Sequence, residues 1–140
     1  MKINISIFFL ILCFLNANGQ STFFQSYGGN GNDYGENIIS CVDSGFAAIG
    51  ATESYGNGLT DLYVIKTNNI GEVIWHKTFG GQNIDYGKSI VETADSGFIA
   101  CGYSNSQNLN YDVFIIKMDK NGNLEWSRRY GGADWDFGNK

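Results

Sequence analysis

Residues 112–126 read DVFIIKMDKNGNLEW, and 51 residues upstream residues 61–75 read DLYVIKTNNIGEVIW. Each copy runs Asp, a set of bulky residues, Lys, a Gly-containing turn and an apolar stretch that ends in Trp. Self-similarity at a fixed spacing of this size marks a repeat architecture. The echo extends outward. YGGNGNDYG at 27–35, FGGQNIDYG at 79–87 and YGGADWDFG at 130–138 are spaced by 52 and 51 residues. The chain therefore divides into a first repeat at 20–78, a second at 79–129 and the start of a third at 130–140.

Each repeat predicts four strands. The first covers 36–42, matched by 88–94. Asp43-Ser44-Gly45 and Asp95-Ser96-Gly97 then form tight turns, with Asp supplying a local hydrogen bond and Gly the positive φ that a hairpin needs. The second strand is 46–52, or 98–104, and leads into polar loops of unequal length. The third is 62–66, or 113–117, and the fourth 73–77, or 124–128. The third strands are bulky on both faces, so they need neighbouring sheets on both sides, which points to stacked sheets. A helical period is visible only near the amino terminus.

A four-stranded antiparallel unit of 51 or 52 residues with a Trp near its end reads as a β-propeller blade. The expected fold is all-β, an incomplete propeller of about two blades plus the start of a third. A β-solenoid or an irregular β-sandwich is the alternative. Trp75 and Trp126 are expected to anchor neighbouring blades. Burying one such ring at ~150–250 Å² contributes on the order of 4–6 kcal/mol before entropy is subtracted.

The first 19 residues read as a secretory signal peptide. Lys2 supplies the positive region, residues 7–15 are an unbroken apolar run too short to span a bilayer, and Ala17-Asn18-Gly19 offers the cleavage site. An uncleaved anchor is the other reading of that run. Leu12 in front of Cys13 argues against a lipid attachment. Loss of Lys2 would leave 8 basic residues against 14 acidic, a net charge of −6. Such a domain has no electrostatic footprint for nucleic acid or for an anionic membrane surface. Gly makes up 19 of the 140 residues and Pro is absent, in keeping with short strands and tight turns. Cys41 and Cys101 lie in strand-like runs, where a thiol acts as a small buried hydrophobe, although an exported protein could bridge them.

The frame FGG-x3-DYG, D-S-G-F-I-x-x-G, YDV-x-IIK-x-D-x-NG-x-LEW resembles the β-propeller repeats of large exported and cell-surface bacterial proteins, over residues 22–140. The resemblance implies a propeller fold, secretion or surface location, and a non-enzymatic binding or scaffold role with a protein or carbohydrate ligand. It also implies that this chain is the amino-terminal part of a longer protein. Two blades and a stub leave apolar faces and strand edges uncovered, so the isolated segment is expected to self-associate. Asp119, Gly122 and Trp126 are similar to the Trp-docking turn of quinoprotein propellers, without the residues that would hold the quinone. The alternative function is an extracellular enzyme, a hydrolase or a quinone-dependent one, whose active site lies in further blades.

No catalytic, cofactor or metal site is assigned. Residues 28–33, GGNGND, match the opening of a calcium-binding nonapeptide. Such motifs stack every nine residues, whereas this one recurs every 51 or 52. The paired glycines Gly28, Gly29, Gly80 and Gly81 are instead expected to turn the chain between blades. Asp33, Asp85 and Asp136 are expected to accept backbone N–H groups there. Asp119 opens a calcium-like loop, but Tyr130 stands where the closing Glu belongs. His76 is the single histidine, with Ser127 in its place one repeat later. Tyr55, Tyr103 and Tyr111, near the variable loops, are candidates for stacking on sugar rings.

Overall fold

A computed structural model of the chain describes residues 23–107 and 109–139. The signal peptide read at residues 1–19, and Cys13 with it, lies outside the described residues. Eight strands follow one another: β1 (Asp33–Ser40), β2 (Phe46–Thr52), β3 (Asp61–Thr67), β4 (Val73–Phe79), β5 (Asp85–Glu92), β6 (Phe98–Ser104), β7 (Asp112–Met118) and β8 (Leu124–Tyr130). They form two four-stranded antiparallel sheets, ordered β1-β2-β3-β4 and β5-β6-β7-β8. Among the described residues there is no helix.

The first strand of each repeat starts at Asp33 or Asp85, three residues earlier than the sequence pattern suggests, and ends two residues earlier. A register shift between Gly35 and Asn37, repeated between Gly87 and Ser89, explains the difference. The extra residue breaks the period-two alternation and hides the strand. It also turns Glu36 and Lys88 out of the ladder, as a bulge does.

The hairpin turns differ from expectation in one respect. Ser44 and Ser96, not the glycines after them, adopt the left-handed backbone, with φ of 66° and 61°. Asp43 Oδ1 accepts from Gly45 N at 2.9 Å and Asp95 Oδ1 from Gly97 N at 3.1 Å. Gly45 and Gly97 are required by space. A methyl group at Gly45 would meet Lys66 Nζ at 2.6 Å and come closer still to the Thr67 carbonyl. That lysine is buried, with 5% of its side chain exposed, and bonds both oxygens of Asp43 at 2.8 and 2.9 Å and the Thr67 carbonyl at 3.0 Å. Lys117 repeats the arrangement with Asp95 at 3.0 Å, the Met118 carbonyl at 3.1 Å and Glu125 at 3.4 Å. A buried ammonium needs such partners. The recurring Lys at the end of the third strand therefore ties the β1–β2 and β5–β6 turns to their sheets.

The two sheets meet through β5, which packs on β1, β2 and β3. The core lies between them. Ile49, Leu62 and Val64 come from the first sheet, and Ile90, Phe98, Ala100, Phe114, Ile116 and Met118 from the second, with Trp75 and Phe79 against its margin. Every residue of β3 is buried, whereas β7 alternates between buried and half-buried over its first five residues. Leu62 and Val64 face the second sheet, while their repeat mates Val113 and Ile115 face away from it. Phe98 is one of the largest fully buried side chains, at 1% exposure. Removing a ring of that kind costs about 3–5 kcal/mol.

Candidate functional site

The repeated loops between sheets concentrate the polar side chains. Asp33 Oδ2 accepts from Gly29 N at 2.9 Å, Asp85 Oδ2 from Gly81 N at 2.8 Å and Asp136 Oδ2 from Gly132 N at 2.9 Å. Each carboxylate thus closes its own Gly-Gly turn. Ser54 and Ser106 add hydroxyl donors to Asp33 and Asp85 at 2.7 and 2.5 Å, and Thr52 adds another to Asp33. Burial works to raise the Asp33 pKa, but the hydrogen bonds from Thr52, Ser54 and Gly29 outweigh it and hold the carboxyl below its ordinary value.

Gly80 runs between two carboxylates: a methyl there would meet Asp85 Oδ2 at 2.5 Å and press harder still on Asp61. Asp61 and Asp85 are 3% and 0% exposed. Burial, and then the nearby Asp85 charge, push the Asp61 pKa up against the Gly58 amide that it accepts at 2.9 Å. Asp85 Oδ1 lacks a hydrogen bond, but Arg129 Nη2 stands 3.7 Å away. The same guanidinium bonds Ser104 Oγ at 3.1 Å and lies 4.3 Å over the Phe114 ring. Gly131 is likewise bracketed by Asp112 and Asp136. A carboxylate pair behind a turn thus recurs, with both members buried at Gly80 and Asp136 half-buried at Gly131.

Asp119 is a turn residue in this structure. Its Oδ1 accepts from Asn121 N and Asn123 N, both at 2.8 Å, and its Oδ2 accepts from the Asn123 amide at 2.9 Å. Among the described residues, no group of three or more His, Cys, Asp or Glu side chains could hold a metal ion. Cys41 and Cys101 are free thiols, both pushed above their ordinary pKa by burial. His76 is exposed and meets Tyr55 at a tilt and Tyr63 edge-on, with ring centroids 5.2 and 5.6 Å away.

The three candidate ligand aromatics divide. Tyr55 donates to the Gly28 carbonyl at 2.9 Å and packs on Tyr63, which burial pushes up to about 12. Tyr103 and Tyr111 come together in edge contact at 5.4 Å, joined by Trp135 and Phe137 from the third repeat. Tyr103 also stacks flat on Tyr86 at 5.4 Å, and the Lys88 ammonium lies 4.6 Å over the Tyr86 ring. These rings already have aromatic neighbours, and Trp135 is the most open of them at 66% exposure. Trp135 and Phe137 went unmarked in the sequence because their mates, Ile84 and Tyr86, differ in size or character.

The tryptophans also part company. Trp75 is half-buried: it meets Phe98 edge-on at 5.8 Å, lies over Gly122, and donates from Nε1 to the Lys120 carbonyl at 3.2 Å. Trp126, its mate, is 38% exposed. Across the joint, Lys88 pairs with Glu36 at 2.8 Å and Ile90 N reaches Asn37 Oδ1 at 3.4 Å. The junction between sheets is therefore the most fully built site in the described chain.

The chain matches no protein-family model, and no curated protein matches it. No helix among the described residues is long and apolar enough to cross a membrane.

Proposed function

We propose that the chain is a run of β-propeller-type blades from an exported or surface protein of the bacterial propeller-repeat kind, with a binding or scaffold role and no catalytic one. The observation that supports this reading is the repeated joint. One sheet seals its apolar face with the next through Trp75, Phe98 and Gly122, and the second sheet carries the same face again. A unit that presents the same docking face at every repeat is suited to building an extended or closed surface.

The recurring acids support the non-enzymatic side of the reading. Asp33, Asp85 and Asp136 hold Gly-Gly turns, Asp43 and Asp95 hold buried lysines, and Asp61 sits behind Gly80. Export is tested by amino-terminal sequencing of the protein recovered outside the cell, which should begin near Gln20; a product that still begins at Met1 rejects cleavage. The role is tested by screening the exported chain against ester, glycoside and peptide substrates. Turnover that disappears in Asp61→Asn or Asp85→Asn would overturn the non-enzymatic reading.

A further inference from the structure

In the first repeat Tyr34 stands opposite Ala51, whereas in the second its mate Tyr86 stands opposite Tyr103. A ring in place of a methyl group thus creates a tyrosine pair that the first sheet lacks. Directly opposed residues of antiparallel strands point to the same face, with Cβ atoms ~4.5–5.5 Å apart. The two side chains therefore rise side by side from fixed points. Their rings lie 9° from parallel with centroids 5.4 Å apart. Parallel rings at that separation are offset, so the edge of one lies over the edge of the other in van der Waals contact.

The neighbouring tyrosines meet this pair in other geometries. Tyr111 stands at 90° to Tyr103, and Tyr34 is tilted 37° from Tyr86 at 6.2 Å. The bulge at Lys88 turns its ammonium over both rings, 4.6 Å from the Tyr86 centroid and 5.9 Å from that of Tyr103. Glu36, which pairs with Lys88 at 2.8 Å, also accepts from the Tyr86 hydroxyl. Burial, and then the Glu36 carboxylate, push Tyr86 up to about 12, and the Tyr103 phenol adds to the shift. The two hydroxyl ends thus lie close enough to feel each other. A phenol with such a pKa stays protonated at neutral pH. Loss of an electron from it requires that the proton leave too, and Glu36 stands within hydrogen-bond reach to take it.

We infer that Tyr86 and Tyr103 form an oxidative cross-linking site, held ready to join as dityrosine when the chain meets hydrogen peroxide and a haem peroxidase. Each phenol loses one electron and its hydroxyl proton, from Tyr86 to Glu36 and from Tyr103 to water. The two phenoxyl radicals couple through a Cε carbon of each ring, beside the hydroxyl. The hydrogen on each of those carbons then moves to the neighbouring oxygen, which restores both aromatic rings. In sum the pair gives up two electrons and two protons, and one peroxide is reduced to two waters. Radical coupling runs through the faces of the rings, which the stacked pair brings together and the edge-on pair with Tyr111 does not. The new bond closes a covalent loop over residues 86–103 and restricts the unfolded chain as a disulfide does.

Peptide mapping tests the site. The purified chain is treated with hydrogen peroxide and a haem peroxidase, dilute enough to suppress links between molecules, and digested for mass spectrometry. The expected product is a monomer lighter by the hydrogen atoms lost, with dityrosine fluorescence and a linked peptide pair that joins Tyr86 to Tyr103. Tyr86→Phe and Tyr103→Phe keep a ring at each position and should each abolish that link. Glu36→Gln should slow it on the order of tenfold. Lys88→Met breaks the same ion pair but leaves the carboxylate, and should not slow it. Equal slowing in both variants would overturn Glu36 as the proton acceptor. A link from Tyr34 to Tyr86 or from Tyr103 to Tyr111 in its place overturns the site. So does loss of the exposed Tyr34 and Tyr130 while Tyr86 and Tyr103 stay intact.

Discussion

Trp75→Ala reads out the joint between the sheets. The Trp75 ring meets Phe98 at 5.8 Å, covers Gly122 and bonds the Lys120 carbonyl. With most of a ring of about 150–250 Å² out of water, and ~25 cal/mol per Å², the burial contributes about 3–4 kcal/mol. Compactness of the unfolded chain reduces that figure, and the lost indole hydrogen bond adds about 1 kcal/mol. The expected loss is about 3 kcal/mol. Trp126 has the same sequence context but is 38% exposed, with no further sheet packed on it among the described residues, so Trp126→Ala should cost clearly less than Trp75→Ala. Urea unfolding at protein concentrations low enough to keep the chain monomeric measures both, provided the slope m is unchanged. Equal losses for the two variants would show that the tryptophans act within their own sheets and not between sheets, and would refute the joint.

Asp43→Ala should destabilise more than Lys66→Met, by about 1–2 kcal/mol, because the first leaves a buried ammonium without its carboxylate while the second leaves an exposed carboxylate in water; thermal unfolding of the two variants gives the order. Stability should be lost as pH falls. The carboxyl of Asp43 is held below its ordinary 3.8 by the Lys66 hydrogen bond, and that of Asp95 by the hydrogen bonds from Thr93 and Lys117. Their contribution is therefore complete above that value and disappears as pH falls through the lower folded values. The melting temperature should hold between roughly pH 5 and 8 and drop below about pH 4, less steeply in an Asp43→Asn, Asp95→Asn double variant. Asp61 has the opposite sign: burial raises its pKa, so its contribution is present below 3.8 and lost as pH rises through the folded value. Asp61→Asn should then leave stability near pH 7 unchanged or higher, and a clear loss there would show that the charge is required. Calorimetric titration with calcium should give no isotherm at micromolar concentrations, since both Asp119 oxygens already accept hydrogen bonds within the turn; a stoichiometric isotherm abolished by Asp119→Ala would contradict the turn assignment.

Local pattern made the two four-stranded sheets legible. Alternation within strands, Asp-Ser-Gly and Asn-Gly turns, and the 51- and 52-residue echo are properties of neighbouring residues, and physics acts on them before any long-range contact forms. The Gly-Gly turns were readable for the same reason, because an Asp four residues after the second Gly can reach back to its amide. The bulges at Glu36 and Lys88 were not, because one extra residue interrupts the period that reveals a strand. The left-handed Ser44 and Ser96 were hidden as well. The glycine beside each is demanded by the close approach of Lys66 or Lys117, a contact with a strand about twenty residues away. Repetition by itself makes Trp75 and Trp126 equal, as it does Ile90 and Ile38. Only the stacking of the sheets separates them, burying Ile90 to 1% exposure while Ile38 remains 64% exposed. Burial is a property of what stands opposite a side chain, and the sequence of a repeat is nearly the same whether or not another sheet stands there.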